Sequence, residues 1–81
     1  MTQEEVFGKV KEILQKYSKA GLADADIKME TSILDDLKVN SARLVDIVLD
    51  FEDAFDIEVE DDDADKVRTV GDGVNLILAK L

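Results

Sequence analysis

Three stretches of this chain repeat apolar residues at helical spacing, and no stretch alternates long enough to make a strand. That rhythm restricts the fold to an all-α arrangement. In the first stretch Val6, Val10, Ile13, Leu14 and Tyr17 share one face of a helix expected from about Gln3 to Tyr17. Thr2 and Glu5 stand ahead of it at capping-box spacing, which satisfies backbone N–H groups that have no partner inside the helix. In the second stretch Leu44, Ile47, Val48, Phe51 and Phe55 form a wide stripe on a helix expected from about Ser41 to Phe55. In the third, Val70, Val74, Ile77, Leu78 and Leu81 face inward on a helix running to the end of the chain, behind a second capping box of Thr69 and Asp72.

The connections are uneven. Residues 18–40 show no long periodicity, and a loop of that length must be pinned by its own apolar side chains: Leu22, Ile27, Met29, Ile33, Leu34 and Leu37. Gly21 marks the exit from the first helix. Thr31 to Leu37 has room for one helical turn, with Ser32 and Asp35 at cap spacing. Ile57 and Val59 make a short extended link, and Asp61 to Val67 reads as a brief helix with acids at its front and Lys66 at its back, as the helix dipole favours. The expectation is a small four-helix bundle in one domain, residues 1–81: three longer helices, one short one and a long first loop.

Such a chain buries one modest core and no enclosed active-site cavity. It has no cysteine and no histidine, so thiol chemistry, thiolate metal sites and the commonest general base are all missing. No apolar run approaches the roughly 20 residues a membrane helix needs, and no signal-peptide pattern opens the chain. A cytoplasmic protein that does not insert into membranes is expected. The formal net charge is −10, which repels nucleic acid and attracts basic protein surfaces. From Leu44 to Asp65 there are eleven acids and no lysine or arginine, whereas the first 23 residues carry slightly more bases than acids. The charge belongs to one half of the chain.

Within that half, Arg43, Asp46, Asp50 and Asp53 fall outside the buried stripe of the second helix. Val45 and Leu49 lie four apart at the edge of the acidic face, either exposed or part of the core. Ser41 opens the helix. On local sequence alone, it or Asn40 is a plain N-cap, and the acid run is a solvated surface.

The whole layout resembles acyl carrier proteins. The resemblance is strongest over Asp36-Leu37-Lys38-Val39-Asn40-Ser41 and the acidic helix behind it. It continues through Ile57-Glu58-Val59, Asp61-Asp62-Asp63-Ala64-Asp65-Lys66-Val67 and Thr69-Val70, in order and without a gap. It implies that Ser41 carries 4′-phosphopantetheine taken from coenzyme A, whose thiol holds acyl groups as thioesters. It implies a non-catalytic, monomeric shuttle. The partners would be a phosphopantetheinyl transferase and acyl-transferring or chain-elongating enzymes of fatty-acid, lipid or polyketide-type synthesis, which present basic patches. Carried over residue by residue, the docking surface is Val45, Asp46, Leu49, Glu52, Asp53 and Asp62. The chain departs from the family's usual Asp-Ser-Leu with Asn40-Ser41-Ala42. It has Lys38 where a glycine is usual, Arg43 where an acid is more frequent, and no proline near Glu60. These departures fit a specialised carrier, serving one pathway, at least as comfortably as the housekeeping one. A carrier of aminoacyl or other groups, and a non-acylating structural adaptor of the same fold, stay open beside it.

An arm on Ser41 introduces a phosphodiester anion, favoured by free N–H groups and the positive end of a helix. Arg43, disfavoured by that same dipole, is expected near the added phosphate, with Asn40 adjoining. Asp61, Asp63 and Asp65 have the spacing of the first calcium ligands of an EF-hand. However, Lys66 stands where its glycine is needed and Asp72 where its glutamate is, so diffuse divalent-cation binding is expected instead of a metal site. Carboxylate pairs suited to hydrolysis arise by chance among 20 acids and come here without a pocket-forming length of chain.

Overall fold

The computed structural model describes residues 2–18 and 26–81; the expectations for Gly21 and Leu22 lie outside them. Helix α1 spans Gln3–Tyr17 and opens on the expected capping box, with the Thr2 side chain accepting from the Glu5 N–H and the Glu5 carboxylate answering to the Thr2 backbone. Helix α2 spans Leu44–Phe55 and is preceded by a 3₁₀ turn over Ser41–Arg43, tighter than the continuous α-helix expected there. Helix α3, Asp61–Asp65, is shorter than expected because Lys66 already ends it, its N–H turning back to Ala64 and Asp63. Helix α4, Val70–Lys80, opens on the Thr69–Asp72 capping box.

α1 packs on α4 and α2, and the core between them takes Val6, Val10 and Leu14 from α1, Ile47 and Phe51 from α2, and Val70, Val74 and Ile77 from α4. All eight are wholly removed from water, which stabilises the bundle by roughly 1.5–3 kcal/mol for each large side chain. Leu81, expected inward, is instead 55% exposed, because α4 ends at Lys80 and the last residue runs past the bundle.

The long connection is held as expected by buried Ile27, Ile33 and Leu37, with Met29 half-buried and Val39 added to the set; Leu34 turns outward. Thr31 to Leu37 forms turns rather than helix, although the Ser32 hydroxyl does accept from the Asp35 N–H. Backbone bonds stitch this segment to the start of α4: Ile33 N–H to the Arg68 carbonyl at 3.0 Å, Val70 N–H to Thr31 at 2.9 Å and Gly71 N–H to Met29 at 2.7 Å. A single isolated bridge, Ser32 with Thr69, is the only β-like pairing among the described residues. The stitching brings residues 37–40 to the mouth of α2.

Candidate functional site

The approach to Ser41 is fixed by alternate burial. Leu37 and Val39 are sunk in the core, and Lys38 between them is exposed with φ 58, a left-handed backbone that disfavours L side chains. Asn40 follows in extended conformation and is the true N-cap. Its side-chain oxygen accepts from the Ala42 N–H at 2.8 Å, and its carbonyl accepts from the Arg43 N–H at 2.8 Å. The Leu44 N–H turns back to the Ser41 carbonyl.

Two consequences follow for Ser41. Capping is done by Asn40, so the Ser41 hydroxyl is not needed for it; it is exposed and makes no hydrogen bond among the described residues. The expected supply of free N–H groups is reduced, since those of Ala42, Arg43 and Leu44 are satisfied within the turn and the Ser41 N–H alone has no partner among the described residues. An anion on Ser41 therefore draws most of its counter-charge from side chains. The Arg43 guanidinium lies 3.1 Å from the Asp46 carboxylate, both groups well exposed, so one of its donors is already engaged.

Behind the serine the outer face of α2 separates into apolar and acidic parts. Val45 is 61% and Leu49 53% exposed, which places both outside the core. With Glu52, Val59, Asp61 and Ala64 they line a groove of about 370 Å³ between α2 and α3. Asp46, half-buried, and Asp53 and Asp62, both exposed, are not part of the groove's lining. Glu52 also closes the link to α3, accepting from the Val59 N–H at 3.3 Å. Val59 and Ala64 were missed as groove residues from sequence: each is a lone apolar position among acids, a pattern without period.

Asp50, by contrast, faces α1. Its carboxylate accepts the Tyr17 hydroxyl at 2.6 Å and lies 3.7 Å from Lys16 Nζ. That hydrogen bond first, then burial and the charges of Asp50 and Asp46, raise the Tyr17 pKa above the usual tyrosine value against the opposing Arg43. Asp61, Asp63 and Asp65 lie on a helix, not in an EF-hand loop, and Asp63 is paired with Lys80 at 3.2 Å. Among the described residues no group of three acids is placed to hold a metal ion.

The site thus offers an unengaged hydroxyl at the bundle's edge, uncovered by any element, and a groove with an acidic rim. Both fit a long arm attached at the surface. Residues 8–77 match the protein family described as a phosphopantetheine attachment site. The chain is 42% identical over 80 residues to an acyl carrier protein of Thermotoga maritima, covering 99% of this chain and 96% of that protein. It is 45% identical over 74 residues to one of Clostridium acetobutylicum, covering 91% and 94%. The fold is similar to the solved structure of the acyl carrier protein from Enterococcus faecalis, with a TM-score of 0.83, 34% identity and full coverage of both chains.

Proposed function

This chain belongs to the acyl carrier protein family, and from that premise we propose that Ser41 is the attachment point of its phosphopantetheine arm. The protein is a cofactor-bearing carrier and not an enzyme. When bound, the arm supplies a thiol on which acyl groups ride as thioesters. The observation that supports Ser41 is its exposed, unbonded hydroxyl, freed because Asn40 takes over the cap.

The chain's own residues act around that atom. Asn40 holds the turn so that Ser41 stays at the surface. The Ser41 hydroxyl makes no hydrogen bond to a side chain among the described residues, so removal of its proton falls to the transferase. Arg43 keeps donors beyond the one given to Asp46, and in this reading they serve a phosphodiester on Ser41. Val45 and Leu49 give a partner enzyme apolar contact, and Asp46, Glu52, Asp53 and Asp62 steer its basic residues. Exposed charges of this kind favour fast arrival and easy release, which suits a shuttle that must let go.

The reading takes residues 1–81 as a single carrier domain, supported by one continuous core. It takes the protein as a monomer, kept from its own copies by the net charge of −10, and as cytoplasmic, in keeping with the enzymes it would serve. Among the described residues no helix is long and apolar enough to cross a membrane. Fatty-acid, lipid or polyketide-type enzymes are the partner class, with diffuse cation binding along Asp61, Asp63 and Asp65.

The test is intact mass after incubation with coenzyme A, magnesium and a broad-specificity phosphopantetheinyl transferase, beside Ser41→Ala. One phosphopantetheine should be gained by the native chain alone. Gain by both would move the attachment point elsewhere.

A further inference from the structure

We infer that Lys38 is a second cation, beside Arg43, that pairs with the phosphodiester formed at Ser41, an inference that rests on the attachment reading above. The turn at Ser41 has few backbone donors to give: the N–H groups of Ala42, Arg43 and Leu44 end on Asn40 and Ser41, and a lone N–H carries no full positive charge. The nearest cation on the helix side, Arg43, is shared with Asp46 at 3.1 Å. A new negative charge at Ser41 would enter a chain already at −10, beside Asp46 and close in sequence to Asp35 and Asp36. Arg43, partly neutralised by Asp46, leaves that charge short of a full counter-charge, and a second cation completes it.

Lys38 meets the requirement. It is exposed and in no ion pair among the described residues. Leu37 and Val39 on either side are 0% and 4% exposed, and the Val39 N–H is tied to the Ile33 carbonyl, so the backbone that carries Lys38 is fixed. Its α-carbon lies three residues from that of Ser41, at most about 11 Å away. A four-carbon lysine stem and a phosphorylated serine close such a gap between them.

The backbone gives the second reason. At φ 58 a glycine would sit without penalty, whereas lysine is disfavoured there. What lysine brings to that position and glycine does not is a mobile positive charge three residues from the modified hydroxyl.

The experiment compares unfolding of the apo and holo forms of the native protein, Lys38→Gln and Lys38→Arg in denaturant at low salt. Each variant's apo form is its own reference, so any direct effect of the substitution cancels. Glutamine keeps the backbone penalty and a polar side chain one atom shorter, and removes the charge. Arm attachment should shift the folding equilibrium about two- to five-fold more favourably in the native protein than in Lys38→Gln. High salt should erase the difference, and Lys38→Arg should restore it. Equal apo-to-holo shifts in native and Lys38→Gln, with one arm confirmed on Ser41 by mass, would overturn the Lys38 pairing alone. No arm on Ser41 would remove the pairing together with the attachment reading.

Discussion

The Tyr17 hydroxyl donates to the Asp50 carboxylate at 2.6 Å and fastens the last turn of α1 to the middle of α2. Asp50 is drawn toward Tyr17 and Lys16, while Asp46, one turn earlier on the same stripe, pairs with Arg43, and Asp53 is exposed.

The same bond sets an alkaline limit. Tyr17 has its pKa raised in the folded protein, chiefly by the hydrogen bond to Asp50. The folded state therefore holds the phenolic proton more tightly than the unfolded chain does. The resulting stability is fully present below the unfolded tyrosine pKa, about 10, and is lost as pH rises through the higher folded value. Tyr17→Phe should lower stability near neutral pH by about 1 kcal/mol and flatten this alkaline decline. Because Tyr17 is the only tyrosine, phenolate absorbance follows it alone. A native titration midpoint at the free-tyrosine value would contradict the bond.

Asp56 closes α2 with φ 53, and the Ile57 N–H reaches back to the Glu52 carbonyl at 3.2 Å. Glycine is the usual residue for such a left-handed helix end. Aspartate there adds backbone strain and places a negative charge on the negative end of the helix dipole. Asp56→Gly should raise stability by about 1 kcal/mol, or a melting temperature gain of roughly 4–8 °C for a domain this small. Asp56→Asn, which tolerates the left-handed backbone and lacks the charge, should recover part of the gain. Scanning calorimetry on the three proteins decides it, and a lower melting temperature for Asp56→Gly would reject the strain argument.

The helices were legible because their signals are local. The stripe from Val6 to Tyr17, the cap at Thr2 and the cap at Thr69 each lie within a few residues and need no tertiary knowledge. What was hidden depended on distant partners. The 3₁₀ turn at Ser41 follows from Asn40 taking the cap, a choice between two adjacent cap formers that the sequence leaves even. Burial of Val39 and exposure of Leu34 follow from how the loop is stitched to Arg68 and Thr31. The sequence offered Val45 and Leu49 as either core or surface. Only the packing of Ile47, Val48 and Phe51 against the rest of the bundle turned the other edge of α2 outward.

That exposed edge carries a prediction about partners. Reversing Asp46 and Asp53 to lysine should reduce the association rate with the transferase about ten-fold at low salt, with less effect at high salt, because steering by exposed charge is screened. Stability should move by no more than about 0.5 kcal/mol, since both groups are at the surface and the Arg43–Asp46 pair is exposed. Leu49→Ala should instead speed dissociation, as loss of an apolar contact does. Stopped-flow binding separates the two rates. An association rate indifferent to both charge reversals at low salt would move the docking face away from α2.

Two glycines in α4 should answer oppositely to the same substitution. Both are buried and helical, and alanine at either gains about 1 kcal/mol of helix propensity. At Gly73 an added methyl would meet the Phe51 ring at 3.5 Å, an ordinary contact, so the gain survives. At Gly71 it would lie 2.9 Å from the Met29 carbonyl oxygen, which accepts the Gly71 N–H at 2.7 Å. That oxygen belongs to backbone and cannot swing away without breaking the bond that ties the long loop to α4. Strain of about 1–3 kcal/mol then offsets or exceeds the propensity term. Gly73→Ala should raise the melting temperature and Gly71→Ala lower it. In Gly71→Ala, amide exchange should also quicken at Ile33 and Val70, whose bonds to Arg68 and Thr31 complete the same seam. Equal gains from both substitutions would mean that the loop yields freely, and that the mouth of α2 is not held by this stitching.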